Sequence, residues 1–496
     1  MRYKPRFFYS KGAFLVLLWL VLQTAAWWSF ICLYYPILKS FGNYNALALF
    51  GLFLVGAPLA GWLADARYSN YKVFKTGAFV VFLASVLLCM YVLLTSNGQL
   101  SKTLQIMLSY LTFITLIIGV VTFIVTALQL GLDQMPDASA DNIASFIVWF
   151  VFSIFLGMWM TDTVWCMERF CLNGGARGIQ VFSLSPVICM SLLCSTMFLL
   201  GPKWLTIEPK SPKALTTIFQ VLKFAAKHKA PINRSALTYW EEKIPSRLDL
   251  GKSRYGGPFT TEQVEDVKTF FKIVIVHLPL FISSISFWHT YFRLNDTSIQ
   301  LPGFNICPSA LIYVFTYHPS LCSLILILVS EFVLYPLVKI QPPSILQQIG
   351  ILYFVMMFGS VIILAIQVVG FVYDLHLYYG LERACLGCMG LTFSRTFQFV
   401  CAQSPYNMRG LLAGYTTFIH MLSIMAGVFV DQVIKLTCTE AYKDVVHTSV
   451  AAALSLVGFV LHCLLARWYK RRVRDEDYNA HRVVEEIYDR YISYYH

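Results

Sequence analysis

The stretch that decides the fold runs from Ser211 to Phe271, SPKALTTIFQVLKFAAKHKAPINRSALTYWEEKIPSRLDLGKSRYGGPFTTEQVEDVKTFF. It fills most of a polar interruption, Gly201 to Lys268, that holds twelve Lys and Arg and separates two long hydrophobic regions. The chain has 496 residues, 57% hydrophobic and 13% charged. A soluble domain carries roughly a quarter charged residues, so this composition cannot cover a surface in water. Apolar runs of 18 or more residues suffice to cross about 30 Å of hydrocarbon as helices, whose backbone groups bond within the segment. The chain is therefore read as an all-α polytopic membrane protein.

Twelve spans are expected, at about 12–35, 44–64, 73–95, 104–128, 143–165, 179–201, 269–291, 319–338, 347–372, 377–402, 409–432 and 447–468. They divide the chain into a six-helix bundle (1–201), a linker (202–268), a second six-helix bundle (269–468) and a tail (469–496). The net charge of +12 does not point to nucleic acid, because the basic residues sit in short loops and tails beside apolar spans. That is the positive-inside pattern, and it places both termini and the linker in the cytosol. The apolar run behind the basic head MRYKPRFFYSK has no small-residue cleavage site, so it reads as a first span.

Between the seventh and eighth spans, Asn295-Asp296-Thr297 is an outward-facing sequon that can take a glycan, whereas Asn233-Arg234-Ser235 lies in the linker and stays bare. The thirteen Cys fall mostly in spans, with no paired CxxC and no His cluster at ligand spacing, so no metal site is indicated. Cys166 and Cys171 read either as a short-range disulfide or as free thiols. Within the linker, Leu215, Ile218, Phe219, Leu222, Ala225 and Ala226 recur near the helical period beside lysines. They predict an amphipathic helix along the inner membrane face, ended by Pro231. The Tyr-rich tail beyond Arg472 reads as a short helix or as disordered chain. Six spans, a basic loop and six more spans is the layout of a two-half secondary transporter.

Four stretches carry a family resemblance. Gly61-Trp62-Leu63-Ala64-Asp65-Ala66-Arg67, followed by Tyr71-Lys72, is similar to the loop motif G-x-L-a-D. Gly131-Leu132-Asp133-Gln134 resembles F-G-A-D-Q, with Leu130 in place of Phe. Tyr255-Gly256-Gly257-Pro258-Phe259-Thr260-Thr261-Glu262 looks like the linker of animal members. Phe399-Val400-Cys401-Ala402-Gln403-Ser404-Pro405 with Met408-Arg409-Gly410 looks like the tenth-span signature F-x-Y-x-Q-A-P. Together, and in this order, they resemble the proton-dependent oligopeptide transporters, the solute carrier family 15 branch of the major facilitator superfamily. The resemblance implies that superfamily's fold, twelve transmembrane helices in two six-helix bundles.

It also implies a site, and this chain departs from it. Where the family has E-x-x-E-R on the first span, Leu20-Val21-Leu22-Gln23-Thr24 stands here, followed by Trp27 and Trp28. Where the tenth-span signature begins L-E-F, the acidic position is Gln398, and the fourth span lacks the Lys common in the family. Candidate solute contacts are Gln23, Thr24, Trp27, Gln398, Arg395 and Glu331. A proton-coupled carrier needs a group that binds and releases a proton within the membrane, and Glu331 and His289 are the candidates. Glu331 with Arg395 reads either as a structural interhelical pair or as a substrate-binding pair. His289 also reads as a satisfied interfacial His, Trp27 and Trp28 as packing aromatics, and Glu382 and Arg383 as snorkelling charges near the outer end. Asp65, Arg67 and Lys72, with Asp133 beside them, are expected to form the inner gate.

The expected function is secondary transport of small peptides or a related organic solute by alternating access, proton-linked by resemblance. The alternative is a transport-inactive scaffold or sensor that retains the fold. No Ser/His/Asp grouping or phosphate-binding loop indicates an enzyme, and no cofactor is expected. The expected partners are a small solute, protons and lipid, with a functional monomer in a plasma or endo-lysosomal membrane.

Overall fold

In the computed structural model, the described residues are 10–40, 56–62, 70–98, 101–135, 140–166, 176–205, 214–229, 245–298, 319–334, 343–369, 375–405, 408–439 and 442–469. The first half comprises α1 (Lys11–Ser40), a helical segment at 56–62, α2 (Asn70–Ser96), α3 (Lys102–Asp133), α4 (Ala140–Cys166) and α5 (Ala176–Trp204). The linker holds α6 (Ala214–Lys227). The second half comprises α7 (Thr261–Val276), α8 (Leu278–Ser298), α9 (Pro319–Leu328), α10 (Ile345–Val369), α11 (Leu375–Gln403), α12 (Arg409–Thr437) and α13 (Lys443–Trp468).

Each expected span overlaps one of these helices. Among the described residues, nine helical stretches are long and apolar enough to cross a membrane. The others differ for readable reasons. The second span is described only at 56–62; the eighth is short, continuing from α9 into a π-turn at Val329–Leu334; and α11 carries Glu382, Arg383 and Arg395. The seventh span is broken at His277, because Pro279 has no N–H to continue the ladder. Its two pieces, α7 and α8, together begin eight residues earlier than expected, at Thr261 rather than 269.

Packing follows the two halves. In the first, α1 lies against α3, α4 and α5, and α2 against α3 and α5; in the second, α8 packs on α12 and α13, and α10 on α11 and α13. Across the halves α4 meets α9 and α11, and α3 meets α12. One apolar cluster runs from Trp19, Phe74 and Phe123 in the first half to Ile327, Phe397 and Ile424 in the second.

The linker helix α6 has protein partners that the sequence pattern does not name. Part of the apolar face of α6 packs on protein: Ile218, Val221 and Ala225 are buried, and the first two pack on Val264 and Val267 of α7 and on Met408. Phe219, 66% exposed, is left outside that contact. Burial against protein stabilises this face as well as lipid does, at about 25 cal/mol per Å².

The resemblance stretch Tyr255–Glu262 is a compact turn. Gly256 has φ 85°, a left-handed conformation open to glycine, and Thr260 and Gln263 form a capping box that starts α7. Beneath the turn, Lys252 is buried and reaches Asp249 at 2.6 Å and Glu265 at 2.5 Å, while Lys268 pairs with both carboxylates. Burial alone would raise the pKa of Asp249. Hydrogen bonds from Lys252, Lys268 and Ser246 outweigh it and hold that carboxyl below its usual range.

Candidate functional site

The expected site residues separate into four places. Glu331, Arg395 and Gln398 come together. Glu331, 1% exposed, sits on the π-turn that ends α9, a helix irregularity that tends to occur at functional positions. Arg395 on α11 donates from Nη2 to Glu331 Oε1 and from Nη1 to Gln398 Oε1 at 2.9 Å. Gln398 then donates from Nε2 to the carbonyl of Ala144 on α4, at 3.1 Å. A charge pair in the second half is thus tied to the backbone of the first. Around it, Trp149 of α4 lies 5.8 Å from Phe332, and Phe150 lies 6.2 Å from Phe397. The second oxygen of Glu331, Oε2, is buried with no hydrogen-bond partner.

On α1 the outcome is mixed. Gln23 is 1% exposed, and neither its carbonyl oxygen nor its amide nitrogen has a hydrogen-bond partner. Leaving a buried amide unpaired costs about 1–3 kcal/mol. Thr24 instead bonds back to the Leu20 carbonyl at 2.7 Å and packs where α1 crosses Gly157 of α4. Trp27 is buried in the core, its ring 6.0 Å from that of Trp28.

His289 on α8 is within hydrogen-bond distance, 3.1 Å, of His447 on α13. The reading that no His cluster forms a metal-ligand set holds along the sequence but not in space. Among the described residues, His289, Asp431 and His447 bring ligand-capable atoms within 4.8 Å of one another. Their separation in the chain hides them from any spacing motif.

Of the expected gate, Asp65 and Arg67 lie outside the described residues, and Lys72 is exposed on the first turn of α2. Asp133 accepts from Asn70 Nδ2 at 2.5 Å and ties the end of α3 to the start of α2. At the same face the halves meet backbone to backbone. A Cβ on Gly414 of α12 would come within 2.6 Å of the Ala57 carbonyl, and Gly61 abuts Gly410 in the same way. Small residues allow this close crossing. Asn295 is in the last turn of α8, its side chain outside the described set, as are those of Glu382, Arg383 and Cys166; Cys171 lies outside altogether.

Besides Asp431, a second buried carboxylate escaped the sequence reading. Asp162, 6% exposed near the end of α4 away from the linker, accepts from Trp28 Nε1 at 2.6 Å and from Ser320 of α9 at 3.5 Å. The signal was present, since an Asp inside an apolar span is expensive and usually functional. The halves are therefore in contact near both membrane faces, through 56–62 and α12 on the linker side and through α4 and α9 on the other.

No protein-family profile matches the sequence. Solved structures are similar in three dimensions. The POT family transporter PepTSo, solved in meso, is 15% identical over 93% of this chain and 99% of its own, with TM-score 0.62. An auto-inhibited POT family peptide transporter is 15% identical over 93% and 98%, with TM-score 0.64. A bacterial homologue of the iron transporter ferroportin, outward-facing with soaked iron, is 13% identical over 92% and 99%, with TM-score 0.57. The chain has the fold of major facilitator transporters, the one that POT family peptide transporters share with this ferroportin homologue.

Proposed function

We propose that this protein is a secondary transporter of small peptides or related carboxylate-bearing organic solutes, a divergent member of the proton-dependent oligopeptide transporters. The observation that carries the proposal is the Glu331–Arg395–Gln398 chain, which ends on Ala144 of the other half and leaves Glu331 Oε2 unpartnered. Protonation of Glu331 weakens its hold on Arg395. The guanidinium is then available to a solute carboxylate, which it can bind bidentately, and Gln398 can let go of Ala144 as the halves move. Gln23, with an amide that can both donate and accept, supplies a neutral contact where the family uses charge. His289 is engaged elsewhere, so the coupling role falls to Glu331. The partners are the solute, protons and lipid.

The test is uptake of labelled di- and tripeptides and amino acids into liposomes holding the purified protein, with and without an inward proton gradient. Gradient-stimulated uptake that disappears in Glu331→Gln is expected; no uptake of any solute under either condition contradicts the proposal. The second reading, a transport-inactive scaffold or sensor, is favoured by one observation: neutral Gln23 and Gln398 stand where charges are expected. It predicts that no solute raises thermal stability, whereas a ligand of the folded state must raise it.

A further inference from the structure

Three helices of the second half bring nitrogen and oxygen donors together at one depth. Asp431 lies 22 residues after the start of α12, about 33 Å along the helix at 1.5 Å per residue, and His447 is in the first turns of α13, which runs the opposite way. His289 of α8 joins them. All three are buried, at 0% exposure for His289, 3% for Asp431 and 2% for His447.

His447 Nδ1 is 3.1 Å from His289 Nε2, and His447 Nε2 is 4.0 Å from Asp431 Oδ1. With one ligand atom from each residue, the three lie within 4.8 Å of one another. That spread is wider than the edge of about 3.3 Å of a tetrahedron with metal–nitrogen bonds of about 2.0 Å, so an ion that takes a single His447 nitrogen has to draw the three side chains together. The other carboxylate oxygen, Oδ2, takes the ammonium of Lys435 at 2.6 Å, whereas Oδ1 is buried with no hydrogen-bond partner and faces the imidazole across a gap too long for a hydrogen bond. The carboxylate is thus charge-paired through Oδ2 alone, and Oδ1 keeps its lone pairs for a further electrophile.

Donor chemistry selects the ion. Two imidazoles and one carboxylate suit a borderline transition ion such as zinc or cobalt, while calcium and magnesium call for a cage of oxygens. A cavity of about 30 Å³ adjoins His447, lined by hydroxyls of Ser286, Thr290, Thr448 and Ser455. It has room for a water as a fourth ligand. Lys435, 28% exposed, can stay on Oδ2 or swing to solvent while Oδ1 binds the ion.

We propose that His289, His447 and Asp431 bind one divalent ion of the zinc class, with a water from the adjoining cavity, and so clamp α8, α12 and α13 together. The site is independent of the transport reading. The test uses the full chain without a histidine tag, purified in detergent, stripped with chelator and dialysed. Cobalt titration is expected to give the intense visible absorption of a low-coordinate site at one equivalent. One zinc per chain is expected by elemental analysis, with a raised thermal midpoint that millimolar magnesium does not reproduce. His447→Gln and Asp431→Asn are expected to weaken binding about a hundredfold. Equal zinc content and equal midpoint shifts in wild type and variants would overturn the proposal. So would a wild-type cobalt spectrum like that of the hydrated ion, a readout that does not depend on the variants folding.

Discussion

The two halves of the molecule share a layout and differ in chemistry. Asp162 is the single buried carboxylate or base among the described residues of the first half, whose other buried polar groups are hydroxyls and amides such as Gln23 and Gln129. The second half buries His277, His289, Glu331, Arg395, His420, Asp431, His447 and His462. Ionisable groups within a membrane are expensive and persist where a pathway or site requires them. On the proposed transport reading, the first half would supply a mostly neutral wall, and charge recognition and proton exchange would fall to the second.

The largest expected effect breaks the charged side of that comparison. Arg395→Ala leaves Glu331 buried without its partner, a loss of about 3–5 kcal/mol, read as a lower thermal midpoint in detergent. The double variant Glu331→Gln with Arg395→Gln is expected to lose less than the single one, and a larger loss in the double would refute the pairing. In the first half, Asp162→Ala removes the acceptor of the 2.6 Å bond from Trp28 and is expected to cost about 1–3 kcal/mol. Because Asp162 also meets Ser320 of α9, the same variant is expected to expose cysteines placed at this face to a water-soluble thiol reagent.

Gly414→Leu forces the halves apart on the linker side, where a Cβ already meets the Ala57 carbonyl. A destabilisation of about 1–3 kcal/mol and opening toward the linker face are expected, the latter read by cross-linking between 56–62 and α12. A smaller effect sharpens the neutral side. Gln23→Leu removes two unpartnered polar atoms, so stability is expected to rise by about 1 kcal/mol while uptake falls. Unchanged uptake would make Gln23 a packing residue. Least in size is the linker cluster. Asp249 has a folded pKa below its unfolded one, so its stabilisation is complete above about pH 4 and is lost as pH falls below it. Proteolysis of the linker is expected to speed up below that pH, and no change down to pH 3 would contradict the network.

Much of the fold was legible because bilayer thickness imposes one helix length. The linker turn was marked only by its resemblance, although Gly256 and the Thr260 cap carry local conformational demands that a sequence can show. The contacts of α6 were not legible, because an apolar stripe fits lipid and protein equally and only the partner face of α7 decides between them. In the site, Glu331 and Arg395 stood out as charges in apolar spans, and the structure joined them. Asp162 gave the same signal, a charge inside an apolar span, and the sequence reading did not single it out. The His289–His447–Asp431 group was out of reach, since its members are brought together by the packing of α8, α12 and α13.

The central claim is that Glu331 carries a proton for a solute held partly by Arg395. Its most direct test is peptide uptake into proteoliposomes with and without an inward proton gradient, comparing wild type with Glu331→Gln at equal folded protein. The account predicts stimulation by the gradient in the wild type and none in the variant. Equal stimulation in both would contradict it.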